Sequence, residues 1–349
     1  MGYQVVVVDP DPHAPAADLA TYHVRADWTD ALVIEELQRR AAVVTTEFEN
    51  VPADVLRALA AHMPVHPGAE AVAVCQDRVT EKRFLQAAGI ATVGWAPIDA
   101  AADLASAWAL VGQGAILKTA RMGYDGKGQV LVPDEGALLP AWEALGRVPC
   151  ILEQRVALEK EVSVMVARTH DGHVATWPVG ANVHVHGILH TTVVPAQDAD
   201  DNNNLARETA VRIATALGYV GVLGVECFVT ADGMLLVNEM APRPHNSGHW
   251  TLDASATSQF EQQVRTVAGL PLGDTRLHSP VAMVNILGDA WNGGTPRFDR
   301  ALAIPGVRLH LYGKRAARAG RKMGHLTAVA DSADAALEAA LHAWRSLAS

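Results

Sequence analysis

Cysteine is scarce: three residues in 349, at 75, 150 and 227, with no CxxC pair among them. That excludes a disulfide framework and fits reduced, buried thiols in a cytosolic protein. No basic stretch followed by a long apolar run opens the chain, so no signal peptide is expected. The run Val5 to Val8 has the length of a strand and is far too short to span a bilayer, which leaves the cytoplasm as the expected location and no membrane partner. Positive charge is also short, with 28 Lys and Arg against 38 Asp and Glu and a formal net charge of −10. Nucleic acid and anionic membranes are therefore excluded as main partners, whereas a small anionic substrate in a locally basic pocket is not. There are no internal repeats and no low-complexity tracts. No GxGxxG precedes a strand, which disfavours a dinucleotide-binding dehydrogenase, and no GxxxxGK[ST] Walker loop occurs.

What is present is a globular composition, 50% hydrophobic and 19% charged, on a chain long enough for two or three domains. Val5 to Asp9 reads as a fully buried parallel strand. A helix over 31–40, a strand over 42–46, a helix after Pro52 and a short strand at 64–65 follow. Such alternation marks an open α/β sheet, whose ligands bind beyond the carboxyl ends of strands. Glu47 and Glu49 lie at such an end, although two solvated loop glutamates would explain them equally well. Residues 77–88 form an amphipathic helix, with Asp77 as N-cap and Gly89 as the stop. Strands are expected at 115–119, 129–132 and 150–153, with a helix near 135–145. Antiparallel strands cover 161–194, a helix 203–217 and a hairpin 222–239. An Ala-rich helix over 332–347 closes the chain. Boundaries near 68–76 and near 270, where Pro271, Gly273 and Pro280 cluster, divide the chain into 1–75, 76–270 and 271–349.

The hairpin carries the strongest chemistry. With Asp232-Gly233 as a two-residue turn, Ala231 pairs with Met234, Phe228 with Val237 and Glu226 with Glu239. Opposed side chains have Cβ atoms about 4.5–5.5 Å apart, and like charges there are destabilising unless a proton or cation sits between them. Oxygen ligands alone, with Asn238 beside them, suit Mg²⁺. The competing explanation is an exposed pair with splayed side chains. Three glycines in Gly123-Tyr124-Asp125-Gly126-Lys127-Gly128-Gln129 would let backbone N–H groups approach phosphate oxygens, with Lys118 as a point charge on the preceding strand. By itself this is a weak signal. Glu153 ends a strand and Glu161 follows a short loop. Either could accept from ribose hydroxyls or lie on the surface. The segment from Asn238 to Trp250 is dense in polar groups after a buried strand, and its Arg243 and His245 suit oxyanion binding and proton transfer. Lys314, Arg315, Arg318, Arg321 and Lys322 form a basic patch, either a solvated turn or a monophosphate site. His184 and His186, two apart, would share a strand face; with no third ligand nearby a zinc site is not expected.

With these residues in hand the chain resembles the ATP-grasp superfamily and, within it, the 5-(carboxyamino)imidazole ribonucleotide synthetases. The likeness runs through TTEFENV, QDRVTEKRFL, GYDGKGQ, EVSV, GILHTTVVPA, GYVGVLGVECFV, NEMAPRPHNSGHW and AGRKMGHL. EFEN, HNSGHW and GRKMGHL are its narrow parts. The resemblance implies an N-terminal open parallel α/β (pre-ATP-grasp) domain, a central ATP-grasp domain and a small β-rich C-terminal domain. It implies ATP- and Mg²⁺-dependent carboxylation of 5-aminoimidazole ribonucleotide by bicarbonate through carboxyphosphate, in a cytoplasmic homodimer. Carried over by motif, ATP would meet Arg78, Lys118, the loop Gly123, Tyr124, Asp125, Gly126, Lys127, Gly128 and Gln129, then Glu153, Gln154, Arg155, Val156, Glu161, His184, Asn238 and Glu239. Glu226, Asn238 and Glu239 would hold the metal. The ribonucleotide would meet Glu47 or Glu49, Asp125, Lys314, Arg321 and Lys322, and Arg243, His245 and Lys118 would serve the chemistry.

One departure goes with the resemblance. Family members begin with a strand and a GxGQLG-type loop before the strand matched by Val5 to Asp9. The expectation is a missing first βα unit, with lower stability or weaker ribonucleotide binding. Two other readings stay open here: a formate-dependent glycinamide ribonucleotide transformylase, which shares a PRPH-type segment, and an impaired ATP-binding homologue.

Overall fold

A computed structural model describes residues 1–123, 126–196 and 200–348. The first 75 residues hold β1 (Val6–Val8), β2 (Tyr22–Val24), α1 (Ala31–Arg40), α2 (Ala53–Ala60) and α3 (Ala69–Cys75). β1 and β2 pair in parallel, and the expected strands at 42–46 and 64–65 shrink to a parallel bridge between Val44 and Val65. β1 is only half-buried, not the fully buried strand expected, because among the described residues it bonds to β2 alone. α1 starts where predicted: Asp30 accepts a hydrogen bond from the Leu32 N–H, and Val33 and Leu37 face the core with Val24, Leu56 and Val72.

Next come α4 (Arg78–Ala87), β3 (Trp95–Ile98), α5 (Leu104–Val111), β4 (Ala115–Thr119), β5 (Gln129–Val132), α6 (Leu138–Ala144) and β6 (Cys150–Gln154). Asp77 caps α4 through the Thr80 N–H, and Gly89 at φ +67° ends it, as the sequence predicts. β3, β6, β4 and β5 form an antiparallel sheet in that order, packed against α5 and α6.

The rest is organised by one large antiparallel sheet. Its members are β7 (Leu158–Arg168), β8 (Val174–Thr176), β9 (Gly180–Val185), β10 (Ile188–Val194), β11 (Gly221–Thr230), β12 (Leu235–Ala241), β13 (Val281–Leu287), β14 (Val307–Leu311) and β15 (Lys322–Val329). Among the described residues the order is β12-β11-β7-β9-β10-β13-β15-β14, with β8 on β7. The C-terminal strands therefore continue the central sheet through the β10–β13 pairing. One face carries α7 (Asp200–Ala216), with Ala206, Ala210 and Ile213 fully buried. α8 (Thr251–Ala254) and α9 (Gln259–Val267) follow the site loop, and α10 (Phe298–Leu302) and α11 (Ala333–Arg345) cover β13 and β15. Among the described residues no helix is long and apolar enough to cross a membrane.

The turn of the β11–β12 hairpin corrects the predicted pairing. Thr230 pairs with Met234 around Ala231, Asp232 and Gly233, with Gly233 at φ +84°, so the loop has three residues rather than two. Cys227, Phe228 and Val229 then face Val237, Leu236 and Leu235, each one residue away from the expected partner. A bulge between Glu226 and Cys227 inserts Asn238 and shifts the register back, so Glu226 does face Glu239.

Candidate active site

The hairpin sets two carboxylates side by side at one end of the large sheet. Two ionised carboxylates about 5 Å apart repel by about 3 kcal/mol at an effective dielectric near 20. The pair resolves this unequally. Burial raises the Glu226 carboxyl, and Glu239 adds to the effect, to about 7. Burial would raise Glu239 as well, but the Arg78 guanidinium, donating from Nη1 to Oε2 at 2.8 Å, brings it down to about 2. Beside them the Asn238 side-chain carbonyl, Oδ1, is buried without a hydrogen-bond partner among the described residues. Two opposed carboxylates and an orphaned amide oxygen are a donor set that would suit Mg²⁺, which is commonly held by one or two carboxylates together with substrate phosphates. Among the described residues no cluster of three His, Cys, Asp or Glu could hold a metal, so any third protein ligand at this pair would be of another kind, such as the Asn238 amide oxygen.

On the neighbouring four-stranded sheet Lys118 projects from β4 towards Glu153 of β6, Nζ to Oε2 at 2.5 Å, and Lys82 of α4 stands 3.5 Å from the other oxygen. Burial would raise the Glu153 carboxyl, but these two ammonium groups hold it at about 2. Its carboxylate is thus occupied. The N–H groups of Gln154 and Arg155 go to the carbonyls of Gly94 and Gly114, so a base edge would be read by groups further on, in residues 155–156. The glycine loop joins β4 to β5. At Gly128, with φ +71°, a Cβ would come within 2.7 Å of Thr119 Oγ1, so only glycine fits. The Gly123 carbonyl accepts from Arg78 Nη2 at 3.4 Å, and Gly126 rests against His186 and Gly187. Lys127 and Gln129 are exposed, while Tyr124 and Asp125 lie outside the described residues.

Glu161 on β7 meets His184 Nδ1 of β9 at 2.8 Å, and although burial works against it, Glu161 raises the imidazole above its usual range. His186 does not share that strand face: it sits at φ +52° in the turn between β9 and β10.

The loop after β12 brings in the other half. Arg243 donates from Nε and Nη2 to Glu49 Oε2 at 3.0 and 2.8 Å, joining residues 194 apart in sequence. The turn that presents Glu49 is fixed by Gln76, whose side-chain amide donates to the Glu49 and Val51 carbonyls. Glu47, two residues earlier, is exposed. His245 packs so closely on β11 that a Cβ at Gly224 would be 2.7 Å from its own. Its Nδ1 accepts from the Ser247 N–H and lies 2.9 Å from Ser247 Oγ. The neutral ring therefore carries its hydrogen on Nε2, which faces Glu226 Oε1 at 3.5 Å. Burial, with Arg243 and Lys322 nearby, lowers its pKa to about 3.

Lys322, half-buried on β15, lies close enough to offset part of the rise at Glu226 and to add to the lowering of His245. Lys314 donates to the Lys322 carbonyl at 2.9 Å, and Arg321 Nη1 donates to the Ala316 carbonyl at 3.0 Å. Of the basic segment, Lys322 is thus the residue that reaches the Glu226–His245 group.

Several residues here escaped sequence reasoning. Gln259 ties the loop together, accepting from the His245 N–H and donating to the His245 carbonyl. His325 stacks on His310 with centroids 4.6 Å apart and lies 2.9 Å from the Tyr312 hydroxyl, while His310 meets Asp253 at 2.8 Å. Glu81 and Lys82 are almost completely buried. Their signal was legible: Arg78, Glu81, Lys82 and Leu85 fall at i, i+3, i+4 and i+7, which places charges on the face that should be apolar.

The buried histidines make stability pH-dependent. Burial holds His245 and His325 near 3, against about 6.5 in the unfolded chain. As pH falls through about 6.5 the unfolded chain takes up protons that the folded one refuses, so this stability is complete above 6.5 and declines towards 3. Between pH 7.5 and 5.5 the unfolding free energy is expected to drop by roughly 1.4 kcal/mol per histidine. Denaturant titrations at the two pH values should show a drop in unfolding free energy smaller by that amount in His325→Gln, and an unchanged drop would refute the assignment.

Three family models match successive parts of the chain. A ribonucleotide synthetase pre-ATP-grasp domain matches residues 1–76, an ATP-grasp domain 83–260 and a phosphoribosylaminoimidazole carboxylase C-terminal domain 281–339. An N5-carboxyaminoimidazole ribonucleotide synthase of Brucella melitensis biotype 1 is 45% identical over 330 residues, 94% of this chain and 90% of that protein. A crystal structure of an N5-carboxyaminoimidazole ribonucleotide synthetase in complex with ADP aligns with a TM-score of 0.93 and 41% identity, covering 99% of this chain and 92% of the other. The Aspergillus clavatus synthase in complex with ADP and 5-aminoimidazole ribonucleotide aligns with a TM-score of 0.90 and 29% identity, covering 99% and 92%.

Proposed function

Since the chain belongs to the N5-carboxyaminoimidazole ribonucleotide synthase family of ATP-grasp ligases, we propose that its cleft joins bicarbonate to the exocyclic amine of 5-aminoimidazole ribonucleotide at the expense of ATP. The observation that carries this reading is the Glu226–Glu239 pair with the orphaned Asn238 oxygen, set between Lys118 on one side and Arg243 and His245 on the other. The C-terminal match to a carboxylase domain disfavours formyl transfer.

In this reading Arg78, Lys118 and the glycine loop bind the ATP phosphates, and residues after Glu153 meet the base. Mg²⁺ held by Glu226, Glu239 and Asn238 would supply charge neutralisation on the phosphates. A bicarbonate oxygen attacks the γ-phosphorus, ADP leaves, and the amine nitrogen then attacks the carboxyl carbon of carboxyphosphate, releasing phosphate. Phosphoryl transfer asks mainly for positioning and electrostatics, which fixed cations provide. Arg243, oriented by Glu49, offers its remaining donors to the carboxyl oxygens. His245, neutral at pH 7 with its hydrogen on Nε2, acts as a hydrogen-bond donor there. Lys314, Arg321 and Lys322 bind the ribonucleotide phosphate, and Glu161 with His184 lies on the ATP side. The reading also has the enzyme act in the cytoplasm, in keeping with three free thiols, and as a homodimer on the family resemblance.

ADP release should require both 5-aminoimidazole ribonucleotide and bicarbonate, with formate unable to replace the latter. A coupled ADP assay reads this directly. ADP release indifferent to both substrates would leave only an impaired nucleotide-binding protein.

A further inference from the structure

The bulge in β12 decides whether the cation site exists. Between Cys227 and Val229 the two strands pair with residue numbers summing to 464, and from Glu226 back to Gly224 they sum to 465. The extra residue is Asn238. In a regular ladder Glu226 would face Asn238, and Glu239 would point to the other side of the sheet, because strand side chains alternate with a period of two. A bulge leaves backbone groups without ladder partners and tends to relax unless something else satisfies them.

Two consecutive residues of α4 do that from opposite sides. Lys82, 1% exposed, donates from Nζ to the Asn238 carbonyl at 2.6 Å and to the Val237 carbonyl at 3.4 Å. Glu81, 2% exposed, accepts the Met240 N–H at 2.6 Å through Oε1. The Val237 N–H completes the set by donating to the Ala91 carbonyl at 2.9 Å. Every contact is to backbone, and together they bracket Glu239. An ammonium group removed from water is costly unless its donors are well used, and here they are spent on the bulge and on Glu153.

We propose that Lys82 and Glu81 are positioning residues of the cation site, clamping β12 on both sides of Glu239 so that the bulge keeps its carboxylate opposite that of Glu226. They touch neither nucleotide nor metal. They act on the geometry of the ligands, and their loss should be felt in metal affinity rather than in nucleotide affinity as such. The proposal rests on the Mg²⁺ reading of the carboxylate pair.

Calorimetric titration of the full-length chain with ADP, once with Mg²⁺ and once with EDTA, tests it. Wild type should bind ADP more tightly with Mg²⁺. Lys82→Met, which keeps the length of the stem and removes the donors, should lose about 10-fold or more of that metal-dependent gain. Its affinity for ADP in EDTA should stay within about threefold of wild type, a ratio that general loss of structure would not preserve. Glu81→Gln keeps an acceptor for the Met240 N–H and should retain the gain, whereas Glu81→Met should lose it. The Glu81 pair carries the test should Lys82→Met fail to fold. A full Mg²⁺ gain in either Met variant overturns the clamp. Absence of any Mg²⁺ gain in wild type overturns the cation site itself.

Discussion

Replacing Glu239 by glutamine is expected to lower ligase turnover by about three orders of magnitude or more, the largest single effect in the molecule. The substitution removes one of two carboxylates that face each other across β11 and β12, and with it, in the proposed reading, an anionic ligand of the cation. It also takes away the partner of Arg78, whose guanidinium donates to this carboxylate at 2.8 Å and lies close to the glycine loop. Both losses fall on the charge that develops on transferring phosphate, where preorganised electrostatics count most. Glu226→Gln should be milder, because burial and the neighbouring charge already push that carboxyl up to about 7. Initial rates of ADP formation at saturating Mg²⁺ measure both variants. If Glu239→Gln kept more than a tenth of wild-type activity, the pair would not be the metal site.

Arg243→Leu should reduce kcat/KM for carboxylation by about 10²- to 10³-fold while leaving ADP affinity unchanged. Arg243 is held by Glu49 rather than by a phosphate-loop residue. Lysine cannot replace its planar fork, so Arg243→Lys should recover little. Glu49→Gln keeps an acceptor but loses the charge and should fall between wild type and Arg243→Leu. Residues that act through one contact are non-additive, so the double variant should be no worse than Arg243→Leu alone. Additive losses would mean that Glu49 serves the substrate separately and does not orient Arg243.

Much of this was readable from local pattern. Helix α4 carries its own start and stop signals in Asp77 and Gly89, because a cap is satisfied within one turn of chain. The hairpin is legible in Asp232-Gly233, and the pairing of Glu226 with Glu239 is correct. It is correct through two departures that cancel: a three-residue turn moves the register by one, and the Asn238 bulge moves it back. Neither is visible in the pattern, since a bulge held by a helix 155 residues earlier leaves no local trace. His184 and His186 mark the opposite failure, where strand alternation was extended one residue too far into a turn.

By itself the sequence determined helices α1, α4, α7 and α11, the β11–β12 hairpin, the opposed glutamates and, through EFEN, HNSGHW and GRKMGHL, the family. Those are properties of short windows, in which periodicity, caps and motif spacing are complete. Tertiary structure alone decided that Glu49 and not Glu47 reaches Arg243, that His245 presents Nε2–H, that the C-terminal strands continue the central sheet, and that Lys82 is spent on backbone. Each depends on a pairing between distant segments, fixed only once burial forces every polar group to find a partner.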